Sequence, residues 1–341
     1  MRALKLYGQH DLRTADEPMP RPRSGEVLLR IRSVTICRSD LHWYEYGRIG
    51  DTISEKPLIL GHEFCGEVVE VPPGVESIRP GDLVAVDPAV SCGRCRYCRE
   101  GNPNLCANLL FAGIPPMDGA LQEYMTYRPE FLYPLPAGFS ADDGALLEPL
   151  GVAIHAWDLG RLRVGETVAI LGCGPIGLLL VQLALISGAA RVLAVEPLAY
   201  RRDLAADLGG IPLSPEDDLA VRAAECTGGH GVDVAIEVAG TLSAQEQAAQ
   251  MVKRGGTVVL IGIPPQDRVM MTHHLVRRKG LTIKLDRRMK LTYPRAIALV
   301  ERGMIDLSAM ITHRFSLEQA DAAFRMVRDY SDGVIKAAVY P

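Results

Sequence analysis

Val168-Ala169-Ile170-Leu171-Gly172-Cys173-Gly174-Pro175-Ile176-Gly177 decides the fold of this chain. Four apolar residues form a short buried strand, and a G-x-G-x-x-G turn opens the helix that follows. Gly172 permits the tight turn, Gly174 lets the backbone approach a pyrophosphate, and Gly177 lets helix and strand pack closely. Unpaired N–H groups at the start of the helix then face the phosphates. The next strand ends at Glu196, whose carboxylate can accept hydrogen bonds from ribose hydroxyls and would repel a 2′-phosphate. NAD is therefore favoured over NADP. Arg201-Arg202, able to serve such a phosphate, is the contrary signal. Without a cofactor, the same glycines would make an ordinary turn of an α/β domain.

Outward from this stretch, the second half alternates strands and helices. Residues 191–196, 233–238 and 257–261 read as apolar strands, and 178–187 and 200–208 as helices. That alternation implies a parallel sheet with right-handed crossovers. Residues 293–302 form a further helix, followed by mixed structure. The first half is different. Short β-type runs at 27–33, 67–71 and 82–87 are separated by turns such as Pro72-Pro73-Gly74 and Arg79-Pro80-Gly81, which suggests a sandwich or barrel-like β domain. The pattern changes near Leu150.

The chain has 341 residues, enough for two domains. Its 37 Lys and Arg against 41 Asp and Glu give a formal net charge of −4, with no basic excess to suggest nucleic acid or an anionic membrane. No apolar run is long enough to span a bilayer. The start of the chain enters a strand-like run without the pattern of a signal peptide, so a cytoplasmic location is the expectation. Eight cysteines in such a chain suggest metal or thiol chemistry before disulfides.

Four of those cysteines, Cys92, Cys95, Cys98 and Cys106, form C-x2-C-x2-C-x7-C. Thiolates at two-residue gaps converge on one tetrahedral centre and close a structural zinc site that leaves no position for substrate. An iron–sulfur cluster takes the same ligands. A zinc ribbon for nucleic acid would want a basic surface, and Arg94, Arg96 and Arg99 supply little of it.

A second metal set is offered by Cys37, the pair His62-Glu63, and Glu148. One Cys, one His and a carboxylate leave a fourth position for water or an alcohol, as a catalytic zinc needs. Zinc would lower the pKa of the alcohol, and the resulting alkoxide would pass a hydride to a nicotinamide. Spacing alone also suits a buried thiol at Cys37 and a turn histidine at His62.

Further motifs decide between these readings. Cys37-Arg38-Ser39-Asp40-Leu41-His42, Tyr46-Gly47-Arg48-Ile49-Gly50, Leu60-Gly61-His62-Glu63, Gly144-Ala145-Leu146-Leu147-Glu148-Pro149-Leu150 and Ile311-Thr312-His313-Arg314-Phe315 occur together with the glycine motif. In these stretches the chain resembles the zinc-containing medium-chain dehydrogenases, and within them the sorbitol (polyol) dehydrogenase branch, over almost its full length. The resemblance implies an α/β protein. A β-rich, GroES-like catalytic domain would comprise residues 1–149 and 286–341, and a Rossmann domain with a doubly wound parallel sheet residues 150–285. It implies NAD and two zinc ions per chain, and a homotetramer or homodimer whose Rossmann edge strands pair across subunits.

Site roles carry over by position. Cys37, His62 and Glu63 match the catalytic zinc ligands, and Glu148 matches a glutamate that bonds the metal's water or binds the metal itself. The choice between Glu63 and Glu148 as the metal carboxylate stays open. Asp40 matches the acid that orients the ligand histidine, and Ser39 the hydroxyl that relays the alcohol proton. Ile176, Glu196, Arg201 and the turn Ile261-Gly262-Ile263 match coenzyme contacts.

Three departures bear on specificity. Arg38 stands where the polyol branch has Gly, and an Arg there in related alcohol dehydrogenases holds the pyrophosphate. Trp43 replaces a Tyr, and Arg287-Arg288-Met289 replaces Phe-Arg-Tyr, keeping the substrate-contacting Arg288 but losing a hydroxyl at Met289. The added charge of Arg287 favours a different polyol, or a sugar acid, over sorbitol. The rival readings are a threonine-type dehydrogenase, which usually lacks the 46–50 motif, and a primary-alcohol dehydrogenase, which usually has Cys where Glu148 stands. From another class, a catalytically silent NAD-binding protein would have no reason to keep the full metal set.

Overall fold

The computed structural model describes all residues Met1–Pro341. The chain divides into two compact units, Met1–Pro149 with Tyr293–Pro341, and Leu150–Thr292. The returning segment thus starts at Tyr293, where the sequence reading expected residue 286. Residues 286–292 stay with the second unit for a packing reason: Asp286 lies beside His155, and Met289 and Thr292 pack against Gly151. No helix is long and apolar enough to cross a membrane.

In chain order, the elements that matter are strand β1 (Val27–Thr35), helix α1 (Arg38–Tyr46), strands β2 (Glu63–Glu70) and β3 (Leu83–Val86), and helix α2 (Ala141–Gly160). They continue with β4 (Thr167–Leu171), α3 (Pro175–Ile186), β5 (Arg191–Val195), β6 (Ile211–Leu213), β7 (Val232–Glu237), β8 (Val252–Leu260) and β9 (Thr282–Leu285). The chain closes with β10 (Ile311–Ser316), helix α4 (Ala320–Asp329) and β11 (Lys336–Tyr340).

The first unit is built on a seven-stranded sheet in which β1 lies between β2 and β11, both antiparallel to it. The β1–β2 register sets Thr35 opposite Glu63, and the β1–β11 register sets Thr35 opposite Ala338. The last residues of β1 therefore have Glu63 on one side and the final strand of the chain on the other. Trp43, Tyr44, Phe64 and Phe324 are among the large side chains of the apolar core that fixes this arrangement. Sequence reasoning found the strands here but not α1 or α2. Helix α1 begins directly at a candidate metal ligand, because the Cys37 N–H donates to the Asp40 carboxylate at 3.0 Å and caps the first turn.

The second unit has six parallel strands in the order β6-β5-β4-β7-β8-β9. This is the doubly wound 3-2-1-4-5-6 order of a dinucleotide-binding sheet, whose switch point lies beside its first strand, here β4. The strands are almost continuously apolar, as a sheet covered on both faces requires.

Candidate metal centre and dinucleotide site

In the first unit, the Cys37 Sγ, a ring nitrogen of His62 and a carboxylate oxygen of Glu63 all lie within 4.8 Å of one another. The three come from two segments. Cys37 precedes α1, while His62 and Glu63 sit where β2 begins. Gly61, at φ +95°, makes the turn into them, and a Cβ there would strike Val34 at 2.8 Å.

Asp40 holds the two segments together. One oxygen accepts from Cys37 N–H, and the other lies 3.1 Å from His62 Nδ1 and accepts from Gly61 N–H at 3.3 Å. With Nδ1 taken, Nε2 is the nitrogen left to bind a metal. Ser39 stands beside it, its Oγ 3.2 Å from His62 Nε2 and donating to Cys37 Sγ at 3.3 Å. Burial alone would push His62 down and Asp40 up, yet their mutual attraction holds His62 well above its ordinary value and Asp40 below. In the absence of metal, the pair is a buried ion pair.

Glu63 is buried and has a partner that sequence reasoning missed. Lys336 of β11, 4 % exposed, donates from Nζ to Glu63 Oε1 at 2.9 Å and to the Ile36 carbonyl at 3.2 Å, and lies 2.6 Å from Glu63 Oε2. The Thr35 hydroxyl also donates to Glu63. Burial works to lower the Lys336 pKa, but Glu63 and Cys37 outweigh it, and the ammonium stays charged. Glu148 lies outside the three-donor cluster. It is buried, which pushes its pKa up to about 8 despite the attraction of His62.

The donor set of one thiolate sulfur, one imidazole nitrogen and one carboxylate oxygen suits zinc with an open position. The four-cysteine loop forms a second cluster, with ligand sulfurs again within 4.8 Å. Cys95 Sγ lies 3.5 Å from Cys98 Sγ and 3.9 Å from Cys106 Sγ. A zinc tetrahedron with Zn–S near 2.3 Å has edges of about 3.8 Å, which these separations bracket. Backbone N–H groups of Cys92, Cys95 and Asn108 point at the sulfurs. The N–H groups of Arg94 and Cys95 bring Cys92 down to about 6, whereas burial and neighbouring thiols push Cys98 up to about 12.

In the second unit, Gly172 adopts φ +102°, and a Cβ there would meet Ala239 N at 2.8 Å. A Cβ on Gly177 would land on the Gly172 carbonyl. Gly174 is open, with only the Arg201 guanidinium within reach, 3.6 Å from an added Cβ. The motif thus leaves space where a pyrophosphate would lie, with a cation at its edge. Glu196 accepts from Cys173 N–H at 2.7 Å and Leu198 N–H at 3.1 Å, tying the end of β5 to the glycine turn. Ile176, Ile261 and Gly262 are half-buried and Ile263 is exposed, so apolar surface borders the ends of β4 and β8.

Four residues expected at the substrate or coenzyme have definite surroundings. Trp43 is 1 % exposed in the core of the first unit. Met289 is buried against Gly151 in the second unit, so its thioether fills packing space. Arg38 is exposed, with its guanidinium 5.4 Å above the Tyr330 ring. Arg288 is half-buried in a left-handed conformation at φ +62°, which turns the chain between β9 and Met289.

Comparison with known proteins agrees with this geometry. Residues 23–137 match the alcohol dehydrogenase GroES-like domain, and residues 175–302 match the zinc-binding dehydrogenase family. The sorbitol dehydrogenase of Bacillus subtilis is 36% identical over 343 residues, covering 100% of this chain and 97% of that protein. The L-idonate 5-dehydrogenase of Escherichia coli superposes with a TM-score of 0.92 at 26% identity, covering 100% of this chain and 98% of that one. A zinc-binding dehydrogenase from Sinorhizobium meliloti bound to NADP gives a TM-score of 0.91 at 34% identity, covering 100% and 99%. This chain belongs to the zinc-binding medium-chain dehydrogenases. Within them it falls in the sorbitol (polyol) dehydrogenase branch.

Proposed function

We propose that this protein oxidises a secondary alcohol of a polyol or sugar acid to the ketone, with NAD as hydride acceptor. The observation that carries this reading is the convergence of Cys37, His62 and Glu63, with the Ser39 hydroxyl beside them. When bound there, zinc would polarise the alcohol and lower its pKa. The remaining work belongs to the chain. Asp40 fixes the His62 ring so that Nε2 is presented, and Ser39 is placed to receive the alcohol proton and pass it on. Glu63 is taken as the metal carboxylate, because its oxygen and not that of Glu148 lies in the cluster. Glu148, buried and outside the cluster, can hydrogen-bond a water or a substrate hydroxyl.

The second zinc would sit on Cys92, Cys95, Cys98 and Cys106, where it holds a loop. Gly172, Gly174, Gly177, Ile176 and Ile261-Gly262-Ile263 would cradle the dinucleotide, and Arg38 would add a charge to the pyrophosphate. NAD is favoured by the carboxylate of Glu196, while Arg201 and Arg202 and the NADP-bound relative argue for testing both coenzymes. Arg287 and Arg288 favour a substrate with a carboxylate. The exposed edge strand β9, with Ile283 and Leu285 uncovered, supports pairing with a second copy.

The test is coenzyme reduction at alkaline pH by zinc-loaded protein on sorbitol, xylitol, galactitol, L-iditol, ribitol, L-idonate, L-galactonate and L-threonine, with NAD and NADP in parallel. The expected result is activity on a polyol or sugar acid, lost on chelation and higher with NAD. Activity confined to L-threonine would replace this reading. Activity surviving full zinc removal would overturn the role of the metal.

A further inference from the structure

We infer that Lys336 is a positioning residue that shares the Glu63 carboxylate with the catalytic metal and thereby offsets the negative charge of the ligands around it. The inference rests on the reading of Glu63 as a metal ligand. A carboxylate has about four lone-pair positions. Lys336 donates to Oε1 of Glu63 at 2.9 Å and lies 2.6 Å from Oε2, which accepts from the Thr35 hydroxyl. Positions on the carboxylate remain for a metal, so Glu63 can serve two cations at once.

The placement follows from the sheet. β1 ends at Thr35, with β2 delivering Glu63 on one side and β11 delivering Lys336 on the other. The Lys336 ammonium also donates to the Ile36 carbonyl, next to Cys37, so it is anchored to the segment that carries the thiolate ligand. A fully buried ammonium is costly, and an apolar residue in place of a buried ion pair is often neutral or stabilising. Packing therefore gives little reason for a lysine here. Charge does. The Cys37 thiolate, the Glu63 carboxylate and the Asp40 carboxylate behind His62 would together outweigh the charge of a divalent ion and weaken its pull on the alcohol proton. The ammonium restores one positive charge within ion-pair distance of the carboxylate.

Removing the ammonium has a predictable sign. Without it, Glu63 can leave the metal only by becoming a buried anion with no cationic partner, so the metal is held more tightly. The metal also receives the whole charge of the carboxylate and polarises the alcohol less.

The experiment compares zinc-loaded wild type, Lys336→Met, Lys336→Arg and Glu63→Gln. Each is followed by the rate of zinc release to a chromogenic chelator and by kcat/KM at pH 7 and pH 10. Lys336→Met should release zinc several-fold more slowly than wild type. Its activity should fall more at pH 7 than at pH 10, and Lys336→Arg should restore both readouts toward wild type. Zinc release that is unchanged or faster in a folded Lys336→Met protein would overturn the inference. Should Lys336→Met fail to fold, Lys336→Gln gives the same readouts, and wild-type release from it would also overturn the inference. Wild-type zinc release from Glu63→Gln would instead show that Glu63 is not a ligand, which is failure of the functional reading itself.

Discussion

The first unit contains two clusters of side chains able to hold a metal ion, built on opposite plans. Cys92, Cys95, Cys98 and Cys106 lie within one loop, the first and last 14 positions apart, offer four like donors and are mostly half-exposed. Cys37, His62 and Glu63 come from two segments, offer three unlike donors, and depend on Asp40, Thr35 and Lys336 for their orientation and charge. A local set of four thiols needs only the loop to fold and saturates its metal. A distributed set of three leaves a coordination position open but requires a supporting shell to hold it. The first plan serves stability and the second serves chemistry.

The sharpest way to break this comparison is to remove one sulfur from each cluster. Cys37→Ser should lower kcat/KM by about 10³-fold or more, since metal polarisation supplies several kcal/mol of the barrier reduction, with little change in melting temperature. Cys92→Ser should do the reverse. The melting temperature should fall by about 5–10 °C, while the fraction that stays folded keeps kcat/KM within a few-fold. Steady-state rates and calorimetry on the same preparations check both. A large kcat/KM loss in folded Cys92→Ser protein would erase the distinction.

A smaller effect is expected at Asp40, which touches no substrate. Asp40→Asn keeps the shape but removes the charge that fixes the His62 ring, and should cost about 10–100-fold in metal affinity or activity. Competition with a zinc chelator measures it, and wild-type affinity would mean that the ring is fixed by packing alone.

The smallest effect lies within the cysteine loop. With the Cys92 pKa lowered to about 6, this thiol is a thiolate above that pH, while Cys98, raised to about 12, stays protonated until strongly alkaline conditions. In metal-free protein at pH 7.5, iodoacetamide should therefore label Cys92 first and Cys98 last, as peptide mass spectrometry would report. Zinc should protect all four. Uniform labelling of the metal-free loop would show that the sulfurs do not share protons as the geometry implies.

How much of this was legible beforehand tracks the range of the interactions. The glycine turn, the parallel strands around it and the cysteine loop are encoded over tens of residues, and their spacings already imply their geometry. Cys37, His62, Glu63 and Glu148 were nameable, but their spacing left open which carboxylate joins the cluster. That depends on the register of β1 against β2, which sets Glu63 opposite Thr35. Lys336 carried no local signal at all. A single lysine in an apolar strand acquires meaning only when β11 pairs with β1, a contact that spans most of the chain. Trp43 and Met289 were nameable from their side-chain chemistry, but the packing around each depends on its own unit's fold and carried no local signal.

The pairing of Glu63 with Lys336 also imposes an order on biosynthesis. The two residues are 273 positions apart, so at about 5–20 residues per second the nascent chain carries Glu63 for roughly 14–55 s before its lysine exists. During that interval, Glu63 has neither its lysine nor the strand that delivers it. Were zinc captured then, it would hold Glu63 beside Cys37 and His62, and the later arrival of β11 would bring the ammonium that shares the carboxylate.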